Sequence, residues 1–316
     1  TTEGKLLVTG GKSIYQINKT VDHSGNTEFQ RIDLFPQENC SFTGIAQHNN
    51  WVFTSCQQLK LEWKGWTFKL WQDKQLLAAD TSKPSLEFKP VVPVIGNDDP
   101  IDTLALPNGL AFSPKGDLLV ADYDLFSASG VAKISLDYTN EIPRIAQFEK
   151  NWLGPETGLQ SANGVRVANN QLYVSDNNKV RRFNFDDTGA IPPLFYNQDG
   201  DEISNLPDDT VFYSGNLIID DIMPYCGGIA VTHFVEGQIV YQANNGEKYA
   251  SAPLSFEFPS ALAHGDGQIF SGNELLVTEK GILQEMNTSI GNQLSVVDLG
   301  FDLTDPDTCA AINTLD

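Results

Sequence analysis

The chain is short of sulfur, of histidine and of positive charge. Its 316 residues include four cysteines, two methionines, four histidines, and 20 Lys and Arg against 41 Asp and Glu. Each shortage excludes something. A formal net charge of −21 repels a phosphate backbone, so nucleic acid is not an expected partner. The same acidic surface favours solubility and draws cations. No apolar run approaches the roughly 20 residues needed to cross a bilayer, so no membrane partner is expected. Four cysteines are too few for a disulfide scaffold, and none has zinc-site spacing. They leave room for one or two bridges in an oxidising compartment. There is no Gly-x-Ser-x-Gly nucleophile elbow. Helical periodicity is nearly absent, which disfavours a βαβ architecture. The chain begins Thr1-Thr2 rather than Met, which reads as a processed, secreted or periplasmic form.

What is present is a repeat. A short apolar segment opens with a small or amide residue, passes a polar turn, and returns as a β-rich segment ending in a small or acidic residue. The clearest unit is Pro107-Asn108-Gly109-Leu110-Ala111-Phe112, the turn Ser113-Pro114-Lys115-Gly116, then Asp117-Leu118-Leu119-Val120-Ala121-Asp122. A third strand follows from Gly130 to Leu136. The next unit runs from Ala162-Asn163-Gly164 through Asn169-Asn170 to Ser175-Asp176. Weaker units start at Thr43-Gly44, Gly215-Asn216 and Ser260-Ala261. Adjacent units lie about 45 to 65 residues apart, as four-stranded blades require. The N-terminus starts in mid-unit, with Lys5–Gly11 as a second strand and Ser13–Asn18 as a third. The missing first strand is expected at Cys309–Thr314. Joining the ends leaves no open sheet edge. The expectation is an all-β, six-bladed β-propeller, one domain over residues 1–316, its first blade closed by a C-terminal strand. Segment 57–107, with Trp63, Trp66 and Trp71, reads as outer strands of blade two plus a long loop.

Blade geometry sorts the polar residues. The first strand of a blade lines the central channel, and its start shares a face with the end of the second strand. Asn108, Asn163 and Asn216 should therefore converge at one mouth, with Thr43 and Ser260 at corresponding places. Asp122, Asp124, Asp176, His233 and Glu279 fall on that same side. His48 and His264 fall in the opposite hairpins, and His23 in a polar loop. Amide oxygens pointing into one channel suit a hard cation. The same Asn-Gly pairs also suit ordinary turn chemistry, and the amides could simply cap the channel. The aspartates could equally cap neighbouring backbone amides.

The segments Pro-Asn-Gly-Leu-Ala-Phe-Ser-Pro-Lys-Gly-Asp and Ala-Asn-Gly-Val-Arg-Val resemble the gluconolactonase, paraoxonase and diisopropylfluorophosphatase superfamily, over about residues 105–185. Segment 171–185 also resembles a repeat of the NHL type, found in non-enzymatic propellers. The superfamily resemblance implies a calcium-dependent propeller hydrolysing lactones, aryl esters or phosphotriesters. It implies Ca2+ ligation by Asn108, Asn163 and Asn216, with His233 as a channel histidine. Gly215 and Ala310-Ala311 stand where that family carries acids; Asp220, Asp221, Asp122 or Asp307 would substitute if the register shifts by a few residues. The function expected is metal-dependent hydrolysis of a lactone or ester, a small-molecule substrate, with His233, Asp122, Asp124 or Asp176 activating water. The alternative is a non-catalytic propeller that binds a small molecule or a protein. A Cys40–Cys56 bridge is expected because the two fall opposite each other in one hairpin. The paraoxonase branch would instead imply Cys40–Cys309. Cys226 is expected to be free.

Overall fold

Two kinds of local signal set the strands. Runs such as Leu118-Leu119-Val120-Ala121 are buried along their whole length, as strands packed on both faces must be. Tight turns separate them. At Asn169-Asn170 both residues have positive φ (51° and 59°), which matches the twist of a two-residue hairpin. Gly116 closes the turn after Ser113 with φ 88°, a conformation that favours glycine.

The computed structural model describes residues 1, 4–21, 24, 27–36, 40–64, 67–96, 99–124, 127–191, 210–265, 267, 269–280, 292–299 and 309, with the side chains of 59–64, 67–72 and 156 left aside. Six antiparallel sheets follow one another along the chain. The first holds β1 (Leu6–Gly10), β2 (Ser13–Val21) and β3 (Thr27–Asp33). The second holds β4 (Ser41–His48), β5 (Trp51–Lys64), β6 (Thr67–Asp80) and β7 (Lys89–Pro90). The third holds β8 (Pro107–Phe112), β9 (Leu118–Asp122), β10 (Val131–Asp137) and β11 (Arg144–Leu153). The fourth holds β12 (Ala162–Ala168), β13 (Gln171–Asp176), β14 (Lys179–Asn184) and β15 (Val211–Ser214). The fifth holds β16 (Ile219–Tyr225), β17 (Gly228–His233), β18 (Gln238–Gln242) and β19 (Lys248–Ala250). The sixth holds β20 (Pro259–His264), β21 (Glu274–Glu279) and β22 (Gln293–Asp298). These are the blades of a six-bladed β-propeller, the fold the repeat predicted.

Five hydrophobic clusters join consecutive blades. Ile14 meets Phe42 and Cys56; Phe53 and Leu76 meet Leu110 and Leu118; Leu119 and Val131 meet Val165 and Val174. Tyr173 and Val180 meet Ile219 and Ile229, and Met223 and Ala230 meet Leu262 and Val277. Blade six reaches blade one through a stack of Phe29 on Phe270 at 5.0 Å and a 3.1 Å bond from Lys19 Nζ to the Ile269 carbonyl. β1 occupies the second-strand place expected of it, its end at Gly10-Gly11 adjoining Phe42 and Thr43 at the start of β4. Apart from Cys309, the expected closing strand 309–314 lies outside the described residues. In segment 57–107 the β5–β6 ladder continues to Lys64↔Thr67, so residues 58–64 and 67–72 form a two-stranded ribbon longer than the blade. The side chains of Trp63, Trp66 and Trp71 lie outside those described.

Cys40 and Cys56 form the expected bridge. Cys226 is not free: it pairs with Cys309, which corrects that expectation and the family-implied Cys40–Cys309 pairing. Cys226 sits in the tight β16–β17 turn, 83 residues from its partner, and such a contact leaves no local pattern. In a chain-entropy account, a loop of 83 residues contributes about 4.5 kcal/mol and one of 16 residues about 3 kcal/mol. Paired Cys→Ser variants compared by chemical denaturation should therefore lose more stability at Cys226–Cys309 than at Cys40–Cys56. The reverse order would count against this ranking.

Candidate functional site

The site is built by one register position repeated around the ring. In blade three Pro107 pairs with Asp122 and Leu110 with Val120, which leaves Asn108-Gly109 as a bulge between them. Blade four repeats this with Ala162↔Asp176 and Val165↔Val174, leaving Asn163-Gly164. In blade two the bulged pair is Thr43-Gly44, and in blade six Ser260 takes the position. In blade five Ile219 pairs with His233 and Ile222 with Val231, so the bulged pair is Asp220-Asp221. Asn216 is therefore misassigned. It lies before β16 and is exposed, while Asp220 holds the position given to it.

Close approach of backbones explains the glycines. A Cβ on Gly109 would lie 2.6 Å from Val165 N and 2.8 Å from the Asn163 carbonyl; one on Gly44 would lie 2.1 Å from the Asn108 carbonyl. Each first strand thus presses on the backbone of the next. Asn-Gly here is a packing requirement with the amide turned inward.

Those amides meet. Asn108 Nδ2 donates to Asn163 Oδ1, and Asn163 Nδ2 donates to Asp220 Oδ1 at 2.6 Å. Thr43, Asn108, Asn163, Asp220 and Ser260 all line one cavity of about 210 Å³ at this mouth. Below it an apolar shaft of about 480 Å³, walled by Leu6, Ile45, Leu110, Val167 and Leu262, continues toward the hairpin side. His48 and His264 end their strands on that hairpin side, as expected; His48 stacks on Phe112 at 4.7 Å. His23 lies outside the described residues.

Burial pushes the Asp220 carboxyl up to about 7, with Asp221 adding to the rise and Lys280 and the Asn163 bond opposing it. Asp221 also lines the cavity but is buried and its carboxylate is engaged. Its Oδ2 accepts from Arg166 at 2.5 Å and from Leu262 N at 3.1 Å. Burial raises its proton affinity too, against the pull of the Arg166 charge. Asp220 thus lines the mouth without the guanidinium partner that Asp221 has.

The other acids proposed for catalysis have different surroundings. Asp122 Oδ1 accepts from Ala105 N at 2.7 Å and Leu106 N at 3.0 Å. Asp176 Oδ1 accepts from Gln160 N and Ser161 N at 2.8 and 2.9 Å, and its Oδ2 accepts from Arg181 Nε at 2.9 Å. Glu279 accepts likewise from Glu257 N. These are latches that tie the incoming chain to the end of the second strand. Asp124 accepts from Ser127. His233, 3% exposed, sits between the Tyr213 hydroxyl at 2.7 Å and the Glu236 carboxylate. None of Asp122, Asp124, Asp176 and His233 lines the cavity at the mouth. Among the described residues no group of three or more His, Cys, Asp or Glu could hold a metal ion, so any cation here must rely on amides as well. No helix of the described residues is long and apolar enough to cross a membrane.

No family model matches the chain, and no curated protein matches it in sequence. Solved structures do match. A chain of a nidogen/laminin complex aligns over 94% of this chain and 89% of its own, at 12% identity and TM-score 0.57. The PQQ-bound aldose sugar dehydrogenase of Streptomyces coelicolor aligns over 94% and 92%, at 12% identity and TM-score 0.53. A structure described as a gluconolactonase aligns over 78% and 70%, at 15% identity and TM-score 0.41. At these identities the likeness is one of fold, and the fold is the propeller.

Asp220 supplies a pH test. Its proton affinity is higher folded than unfolded, so its contribution to stability is full below pH about 4 and fades as pH rises to about 7. Asp220→Asn should therefore gain stability relative to wild type across that window, in buffer without added metal. Parallel pH–melting curves for the two proteins would contradict the raised pKa.

Proposed function

We propose that the mouth cavity binds Ca2+ through side-chain oxygens of Asn108, Asn163 and Asp220, and that the protein hydrolyses a small lactone or ester there. The observation that carries this reading is the meeting of three oxygen-bearing side chains from three successive blades at one register position, one of them a carboxylate. The donor set fits a hard cation, which takes carbonyl and carboxylate oxygens and needs negative charge among them. Asp220 provides the charge that an all-amide set would lack. Thr43 and Ser260 offer hydroxyls on the same rim.

When bound, the cation would polarise the carbonyl and stabilise the developing oxyanion. Asn108 and Asn163 hold the oxygens in place through their mutual bond and the bond to Asp220. The water-activating role first given to His233, Asp122, Asp124 or Asp176 passes to Asp220, the cavity carboxylate that neither an arginine nor a backbone latch engages. Water's oxygen bonds to the acyl carbon and its proton passes to Asp220. The acyl C–O bond then breaks and the proton goes to the leaving alkoxide. Two disulfides fit work in an oxidising, secreted or periplasmic setting.

The second reading is a propeller that binds a small molecule without turning it over. The engagement of Asp122, Asp176 and His233 in structural bonds favours it. Calcium separates the two. Under the hydrolase reading, Ca2+ at 100 times its Kd should stabilise the protein by about 2.7 kcal/mol. The gain should be larger at pH 8 than at pH 5, because protons compete at Asp220. Asn163→Ala and Asp220→Asn should abolish that gain and lower kcat/KM for lactones by about 100-fold or more. Calcium stabilisation without lactone or ester turnover would select the binding reading. No calcium effect on melting or turnover would remove the cation.

A further inference from the structure

The repeated register position supplies only the part of the cavity wall that faces blades two to six. Blade one adds Tyr15, Ile17 and Arg31 from β2 and β3, and Lys280 adds to the rim just beyond β21. Two of these carry positive charge, in a chain with twice as many acids as bases. Arg166 also lines the cavity, but Asp221 holds its guanidinium at 2.5 Å. The other two cations are less engaged. The Arg31 guanidinium lies over the Tyr15 ring, 4.7 Å from its centroid. The Asp33 carboxylate is 4.0 Å from Arg31, and both side chains are more than half exposed, so that pair is weak. The Lys280 charge acts on Asp220, yet among the described residues its ammonium forms no ion pair. The cavity thus has amides and the Asp220 and Asp221 carboxylates on the side of blades three to five, and on the side of blades six and one two available cations beside Glu279, whose carboxylate is taken up by Glu257 N and the Ser295 hydroxyl.

We infer that the ligand carries an anionic group of its own, a carboxylate, received by Arg31 and Lys280 while its reactive carbonyl lies against Asn108, Asn163 and Asp220. The substrate class is then a small carboxylate-bearing lactone or ester. Where the carbonyl sits rests on the hydrolytic reading above; the charge preference rests on the basic wall alone. A guanidinium over an aromatic ring offers a carboxylate a pair of donors, and the Lys280 ammonium adds a point charge from the adjoining blade. A cavity of about 210 Å³ falls below the usual range for drug-sized ligands, which keeps the two ends of the ligand close together.

The test compares a neutral aldonolactone with an aldarolactone of the same ring size, in calcium, for wild type, Arg31→Gln and Lys280→Gln. Wild type should prefer the acid lactone by tenfold or more in kcat/KM, with the preference shrinking as salt is raised. Each variant should cut the ratio of acid to neutral turnover at least fivefold, mainly through KM. A wild-type preference for the neutral lactone, or an unchanged ratio in both variants, overturns the inference. If neither lactone is turned over, the hydrolytic reading fails by itself, and calorimetry with gluconate still tests the wall. Gluconate binding that weakens at least fivefold in Lys280→Gln supports the anionic site. No binding, or binding equal in wild type and variant, overturns it.

Discussion

The contact that the rest of this structure depends on is the backbone-to-backbone approach of first strands from neighbouring blades. Gly44 meets the Asn108 carbonyl, Gly109 meets the Asn163 carbonyl and the Val165 amide, and Gly164 meets the Asp220 carbonyl. Strands this close leave no room for a side chain on that side, so the residue before each glycine turns its polar group into the channel. Hydroxyls reinforce the approach. Thr9 donates to the Thr43 carbonyl, Ser55 to the Pro107 carbonyl at 3.1 Å, and Ser175 to the Asp220 carbonyl at 3.2 Å. Each such residue lies in a second strand at the level of the mouth and reaches the first strand of the next blade. The mouth is therefore tied together by hydrogen bonds from blade to blade, which is the condition for holding a small polar site rigidly.

Blade five breaks the pattern and so makes the site. Where blades two to four carry glycine, it carries Asp221, whose carboxylate bridges Arg166 of blade four and Leu262 of blade six. That leaves Asp220 beside a buried, ion-paired neighbour and out of reach of any guanidinium. Its proton affinity follows from this placement. The same blade lacks the carboxylate latch of blades three, four and six, and His233 stands there with Tyr213 and Glu236 instead.

Much of this was legible in the residues, and the part that was not has a physical cause. Blades three and four announce themselves because Asn-Gly, a tight turn and a fully buried return strand occur within one short segment. Cys40–Cys56 was legible for the same reason: it spans a single hairpin. Blade five misled because its outer neighbour β15 is separated from β14 by a long connection, and Gly215-Asn216 follows it looking like the start of a first strand. Counting outward from the turn at Cys226-Gly227 would have found Asp220, since Tyr225 pairs with Gly228 and Ile222 with Val231. The role of the aspartates at second-strand ends depends on which amides lie within reach, and sequence alone leaves capping and catalysis equally open. Cys226–Cys309, Arg31 and Lys280 belong to contacts between distant segments and leave no spacing to read.

The central claim is that oxygens of Asn108, Asn163 and Asp220 surround one cation at the propeller mouth. Anomalous diffraction from crystals soaked in a lanthanide, a calcium surrogate with a strong signal, addresses it most directly. The account predicts a single strong peak within coordination distance of all three side chains, lost in Asp220→Asn. A mouth without a peak while the lanthanide binds elsewhere, or a peak that survives Asp220→Asn, would contradict it.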